Sequence, residues 1–133
     1  MCIHHVESDT TDEFVPRILL TNTMSLAPKI DELRYFDMDK KPDLAAYTET
    51  WLNDSISSEC LLISGYNLIC KNRTLGSHGG VCLYITNSIL FKTLDHLHHP
   101  DIEVLWVHTW CSWCCQARYT IRLVLTIVRY SIT

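Results

Sequence analysis

The stretch from Ile18 to Leu52 restricts the fold of this chain more than any other. It opens on the apolar run Ile18-Leu19-Leu20, which delivers Asn22. Ser25-Leu26 and the amphipathic Lys29-Ile30-Asp31-Glu32-Leu33 follow, and Leu44-Ala45-Ala46-Tyr47-Thr48 then leads to Glu49 and Trp51. This pattern predicts strand, helix, strand. Ser25 is the expected N-cap, and Pro28 suits a first helical turn, where its missing N–H costs nothing. Ile30, Leu33 and Phe36 or Asp37 keep helical spacing. Asp31 and Glu32 come early and Lys40 and Lys41 late, as the helix dipole prefers, and Pro42 ends the helix. Two strands joined through a crossover helix run parallel and end on one edge. Asn22 and Glu49, each just past a strand, are therefore expected to meet there. A carboxamide and a carboxylate on such an edge can hold a phosphate and a divalent metal.

The character changes after Trp51. Asn53-Asp54-Ser55 is turn chemistry. Strand-sized runs follow at Leu61-Leu62-Ile63, Tyr66 to Cys70, Val81 to Ile85 and Ile102 to Val107, with Lys71 to Gly80 as a connecting loop. A βαβ unit followed by antiparallel strands predicts a mixed α/β (α+β) fold, not a doubly wound sheet. Residues 1–16 are polar and acidic and read as a loose leader.

At 133 residues the chain is one domain in size, or a piece of a larger one. Its net charge of −4 gives no global attraction to nucleic acid or acidic lipid. The first residues lack a secretory pattern, and no run reaches the ~18 apolar residues of a membrane span. An intracellular protein, nuclear or cytoplasmic and not secreted, is expected, with its seven cysteines as free thiols. Cys111, Cys114 and Cys115 with His108 have a spacing that zinc could use, but no second Cys-x-x-Cys pair accompanies them. Taken singly, Asn22 is a turn residue, Glu49 a solvated charge, Trp51 a packing residue and Arg73 a loop cation.

The ordered set changes that weighting. Asn22 with Ser25-Leu26, then Lys29, Asp31-Glu32-Leu33, Pro42-Asp43, Thr48-Glu49-Thr50-Trp51-Leu52, Gly65-Tyr66, Arg73 and Gly79-Gly80-Val81 resemble the opening half of the endonuclease/exonuclease/phosphatase superfamily. Within it, the set is most similar to the endonuclease domain of non-LTR (LINE-type) retrotransposons. Glu103 to Val107 continues the pattern, so the resemblance covers about residues 18 to 107 and fails from Thr109 on.

The resemblance implies part of a four-layer α/β/β/α sandwich and metal-dependent hydrolysis of phosphodiester or phosphomonoester bonds. It implies Asn22 and Glu49 as catalytic residues, Glu49 as the ligand of Mg2+ or Mn2+, and Asn22 as a substrate contact; Arg73 is either a second contact to a nucleic-acid phosphate or a solvated loop cation. DNA is the implied partner, with a downstream reverse transcriptase in an intact element and no specific protein partner. The expected organisation is a leader over 1–16, a partial domain over 17–108 and a divergent tail over 109–133, truncated or frame-shifted. Tyr130 is one candidate for the family's catalytic tyrosine. With the family's later segments absent, the isolated chain is expected to be inactive. The alternative is a non-enzymatic small α/β interaction domain or a degenerate gene product.

Overall fold

The computed structural model describes residues 16–73, 76, 78–97, 103–111 and 120–126, with the side chains of 37, 38, 111 and 120–126 excepted. Residues 1–15 of the leader, Cys114, Cys115, His98, His99 and Tyr130 lie outside them. The chain forms two compact units, one from Pro16 to Asn87 and one containing the strands after Ser88.

The first unit begins with strand β1 (Ile18–Asn22), a 3-10 turn at Ala27–Lys29, helix α1 (Ile30–Lys40) and strand β2 (Leu44–Thr48). Strands β3 (Tyr66–Lys71) and β4 (Val81–Thr86) complete a sheet of order β1-β2-β4-β3. β1 and β2 are parallel, and β4 is antiparallel to both β2 and β3. The βαβ unit is thus present, followed by antiparallel strands, in a mixed α/β fold.

Alternation along the sheet builds the core. Ala45 and Tyr47 on β2, Cys82 and Tyr84 on β4, Leu19 on β1 and Leu68 on β3 share one face. Ile30 and Leu33 of α1, with Leu26, Leu52, Leu61 and Ile63, pack against that face. The rings of Tyr47 and Tyr84 meet edge-on at 5.7 Å. The Tyr84 hydroxyl donates to the Leu61 carbonyl oxygen at 2.7 Å, satisfying a polar group inside the core. β2 is buried along its whole length, which explains why Leu44-Ala45-Ala46-Tyr47-Thr48 carries no charge.

α1 ends as its sequence demands. Lys41 takes a left-handed φ of 46°, and the Arg17 guanidinium donates to the carbonyl oxygens of Lys40 (3.4 Å) and Lys41 (2.7 Å). A cation on the last carbonyls complements the helix dipole. The Asp43 carboxylate accepts from the Arg17 backbone N–H at 2.8 Å, fastening the start of β1 to the start of β2.

Several expectations need correction. Ser25 does not cap: the N-cap position of the 3-10 turn is Leu26, and Ser25 has a left-handed φ of 85°. Phe36 is exposed, so the buried face of α1 is Ile30 and Leu33. The run at Leu61 to Ile63 is not a strand; a 3-10 turn at Ser58–Leu61 precedes it, with the Ser57 side chain accepting from the Glu59 N–H. Cys70 and Cys82 are not free thiols but are joined as a disulfide. They stand opposite each other in the β3–β4 register, which no spacing rule reveals.

The second unit is an antiparallel sheet of order β5-β6-β7, from β5 (Ile89–Thr93), β6 (Val104–Cys111) and β7 (Thr120–Thr126). Val104, Leu105, Val107 and Thr109 of its central strand are buried. β5 is not among the strands read from the sequence. Among the described residues no helix is long and apolar enough to cross a membrane.

Replacing Tyr84 by Phe strands the Leu61 carbonyl oxygen while keeping the ring, so a loss of about 1–2 kcal/mol is expected. A urea titration of the full chain measures it; an unchanged midpoint at constant slope would contradict this role for the hydroxyl.

Candidate functional site

The register of β1 on β2 sets the site. Asn22 pairs with Thr48, and Glu49 is the next residue. Because the strands are parallel, both residues leave the sheet at its carboxyl edge. β4 is antiparallel, so it starts at that edge, with Val81 opposite Thr48. Three loops therefore converge: the turn after β1, the turn after β2 and the glycine pair before β4.

Backbone hydrogen bonds sew these loops together. The N–H groups of Thr23, Ser25 and Leu26 donate to the carbonyl oxygens of Thr48 (3.0 Å), Glu49 (2.9 Å) and Thr50 (3.0 Å). Those of Thr50 and Trp51 donate to the carbonyl oxygens of Gly80 (3.3 Å) and Gly79 (2.8 Å). The Thr23 hydroxyl adds a bond to the Thr48 carbonyl oxygen at 3.0 Å. Lys29 closes the far side, its ammonium donating to the carbonyl oxygens of Thr23 and Met24.

This stitching forces unusual backbone. Met24, Ser25, Glu49 and Trp51 have φ of 45°, 85°, 53° and 53°. Each such non-glycine residue costs on the order of 1–3 kcal/mol and persists only where its surroundings compel it. Gly79 and Gly80 have φ of 87° and 86°, a conformation natural to glycine. Gly80 is required twice over, because a Cβ there would stand 2.7 Å from the buried Thr50 Oγ1.

Asn22 is exposed, and its Oδ1 accepts from the Met24 N–H at 3.2 Å. This leaves the Nδ2 amide as the donor end of the side chain. Glu49 is half-buried, and its Oε2 accepts from the Trp51 indole Nε1–H at 2.9 Å. The Trp51 ring meets His78 edge-on at 4.3 Å. Arg73 comes to the same loop: a Cβ built at Gly79 would lie 2.5 Å from its Cζ, so its guanidinium rests on the glycine. Asn22, Glu49 and Arg73 thus all belong to this loop cluster. Trp51 and His78 join them although sequence reasoning assigned neither a role here. A signal was available for Trp51, a donor-only side chain two residues from a carboxylate.

Among the described residues no group of three or more His, Cys, Asp or Glu side chains is arranged to hold a metal. The single carboxylate of Glu49, an oxygen donor, still suits a hard cation that retains most of its water, as Mg2+ does. It does not suit zinc.

No family model matches this sequence, and no curated protein matches it. Solved structures do. The 3′ phosphatase NExo from Neisseria, bound to a product DNA hairpin, aligns with a TM-score of 0.51 at 16% identity, covering 74% of this chain and 38% of that one. A 3′–5′ exonuclease structure, NExo from Neisseria meningitidis, gives 0.49 at 16% identity, with 72% and 38% covered. The human Nocturnin catalytic domain with bound sulfate gives 0.48 at 11% identity, with 74% and 45% covered. This chain therefore spans less than half the length of each. The likeness, carried by the first of these structures, is one of fold alone.

The two demands on Gly80 make a specific prediction. Gly80→Ala combines strain with overlap and should cost about 2–4 kcal/mol, whereas Gly65→Ala, at φ 87° with nothing within 4 Å, should cost about 1 kcal/mol. Denaturation of both variants gives the difference; equal losses would mean that Thr50 yields freely and the loops are not tightly joined.

Proposed function

We propose that this chain is the N-terminal part of a metal-dependent phosphodiesterase domain acting on DNA, of the kind carried by LINE-type retrotransposons. The observation that carries the reading is the common carboxyl edge of β1 and β2, from which Asn22 and Glu49 emerge beside one another. The ordered motif set from Asn22 to Val107 supports the retrotransposon branch, where a reverse transcriptase would lie downstream. NExo, which shares the fold, is described with a product DNA hairpin, and DNA is the ligand class proposed for this chain.

Each residue has a role that its chemistry permits. Glu49 would hold Mg2+ or Mn2+ through its carboxylate. Such an ion, when bound, offsets negative charge on the phosphoryl and leaving oxygens. Asn22, whose Oδ1 is engaged by Met24, would offer its Nδ2–H donors to a phosphate oxygen. Arg73 supplies a guanidinium, which can grip phosphate through two parallel bonds. Neither a metal-bound carboxylate nor a carboxamide takes the proton from attacking water. General-base assistance is worth about 10²–10⁴-fold in rate, so Asn22 and Glu49 by themselves are expected to bind cation and DNA without measurable turnover.

Two measurements on the full chain test this. Mn2+ binding, followed by electron paramagnetic resonance, should weaken about tenfold or more in Glu49→Gln. Plasmid nicking with Mg2+ should be equal, and at background, for both proteins. Unchanged Mn2+ binding in Glu49→Gln would overturn the metal-site reading. Robust nicking lost in Glu49→Gln would overturn the assignment of inactivity.

A further inference from the structure

We propose that Trp51 is a positioning residue for the metal ligand: its indole N–H sets the orientation of the Glu49 carboxylate toward the cation. The inference rests on the metal-dependent reading above and deepens it.

Three observations converge on this tryptophan. First, the Nε1–H donates to Glu49 Oε2 at 2.9 Å, within the normal range for such a bond. Second, the backbone that makes this bond is strained at both ends, with φ of 53° at Glu49 and at Trp51. The strain is locked in from two sides, by the Ser25 N–H on the Glu49 carbonyl oxygen and by the Trp51 N–H on the Gly79 carbonyl oxygen. Third, the indole is oriented by the edge-on contact with His78 at 4.3 Å. Trp51 is half-buried and lies outside the hydrophobic cluster centred on Tyr47 and Tyr84, so core filling does not account for it.

The chemistry suits the task. Indole N–H is a donor only, so it cannot compete with Glu49 for a cation. It is also neutral. A lysine or arginine could orient the carboxylate equally well, but its charge would repel the divalent ion. By engaging Oε2, the indole helps to fix the plane of the carboxylate that would meet the cation. Groups that hydrogen-bond to metal ligands in this way typically contribute 10–100-fold to metal affinity.

The test uses the full chain with 15N-labelled tryptophan. The Nε1–H resonance of Trp51 is assigned by its loss in Trp51→Phe. On titration with Mg2+ it should shift saturably in the wild type and stay fixed in Glu49→Gln, a signature that a purely structural tryptophan would lack. Mn2+ affinity should fall about tenfold in Trp51→Phe, which keeps an aromatic ring and removes the donor. Should Trp51→Phe not fold, the indole titration of the wild type decides alone. Binding that needs Glu49 but is indifferent to Trp51, or a Trp51 resonance unmoved while the cation binds, overturns this inference and leaves the metal reading standing. A wild type that binds no cation, or binds it independently of Glu49, overturns both.

Discussion

The parallel pairing of β1 with β2, in the register that sets Asn22 against Thr48, is the constraint on which the rest of the site depends. A parallel pair needs a crossover, and α1 provides it. Ile30 and Leu33 bind the helix to the sheet, and Arg17 and Asp43 close its far end. A slip of one residue in this register would turn Tyr47 and Ala45 away from the core, so the same packing that stabilises the sheet also brings two polar residues to one edge. The site is a consequence of burial along the same strands, since β2 is buried up to Thr48, the residue before Glu49.

The edge itself is costly. Four non-glycine residues in left-handed conformations and the buried, unpartnered Thr50 hydroxyl are compressed into two short turns. Five backbone hydrogen bonds between the three loops hold that arrangement. Strain concentrated in this way marks positions where geometry matters more than local stability. Here it lets the Trp51 indole reach the Glu49 carboxylate across a single intervening residue, Thr50.

The sequence made the sheet easier to read than its edges. β1 and β2 were legible because both are short uncharged runs, of which β2 is buried throughout, and Pro42 and the lysines mark the end of α1. The Tyr66–Lys71 and Val81–Thr86 strands were likewise visible from their composition. β5 was not: Ile89-Leu90-Phe91 is a bare three-residue apolar run, without alternation to identify it. Ser25 resembles a cap because serine commonly is one, yet its φ is left-handed and its N–H is committed to the Glu49 carbonyl oxygen, in the turn after β2. The Cys70–Cys82 link and the Trp51–Glu49 bond share this property. Each depends on a register or on a left-handed φ, and neither is encoded in the identity of one residue. Of the site, Asn22, Glu49 and Arg73 were nameable in advance; what holds them was not.

The proposed chemistry requires a cation to lodge where β1 and β2 end. Paramagnetic broadening by Mn2+ in a 15N-labelled sample of the full chain addresses this most directly. The account predicts that substoichiometric Mn2+ first erases the Asn22 side-chain amide signals and the backbone amides of Glu49, Thr50 and Trp51, before signals from α1 or β3 are affected. Broadening centred elsewhere in the chain, with the Asn22 carboxamide left sharp, would contradict it.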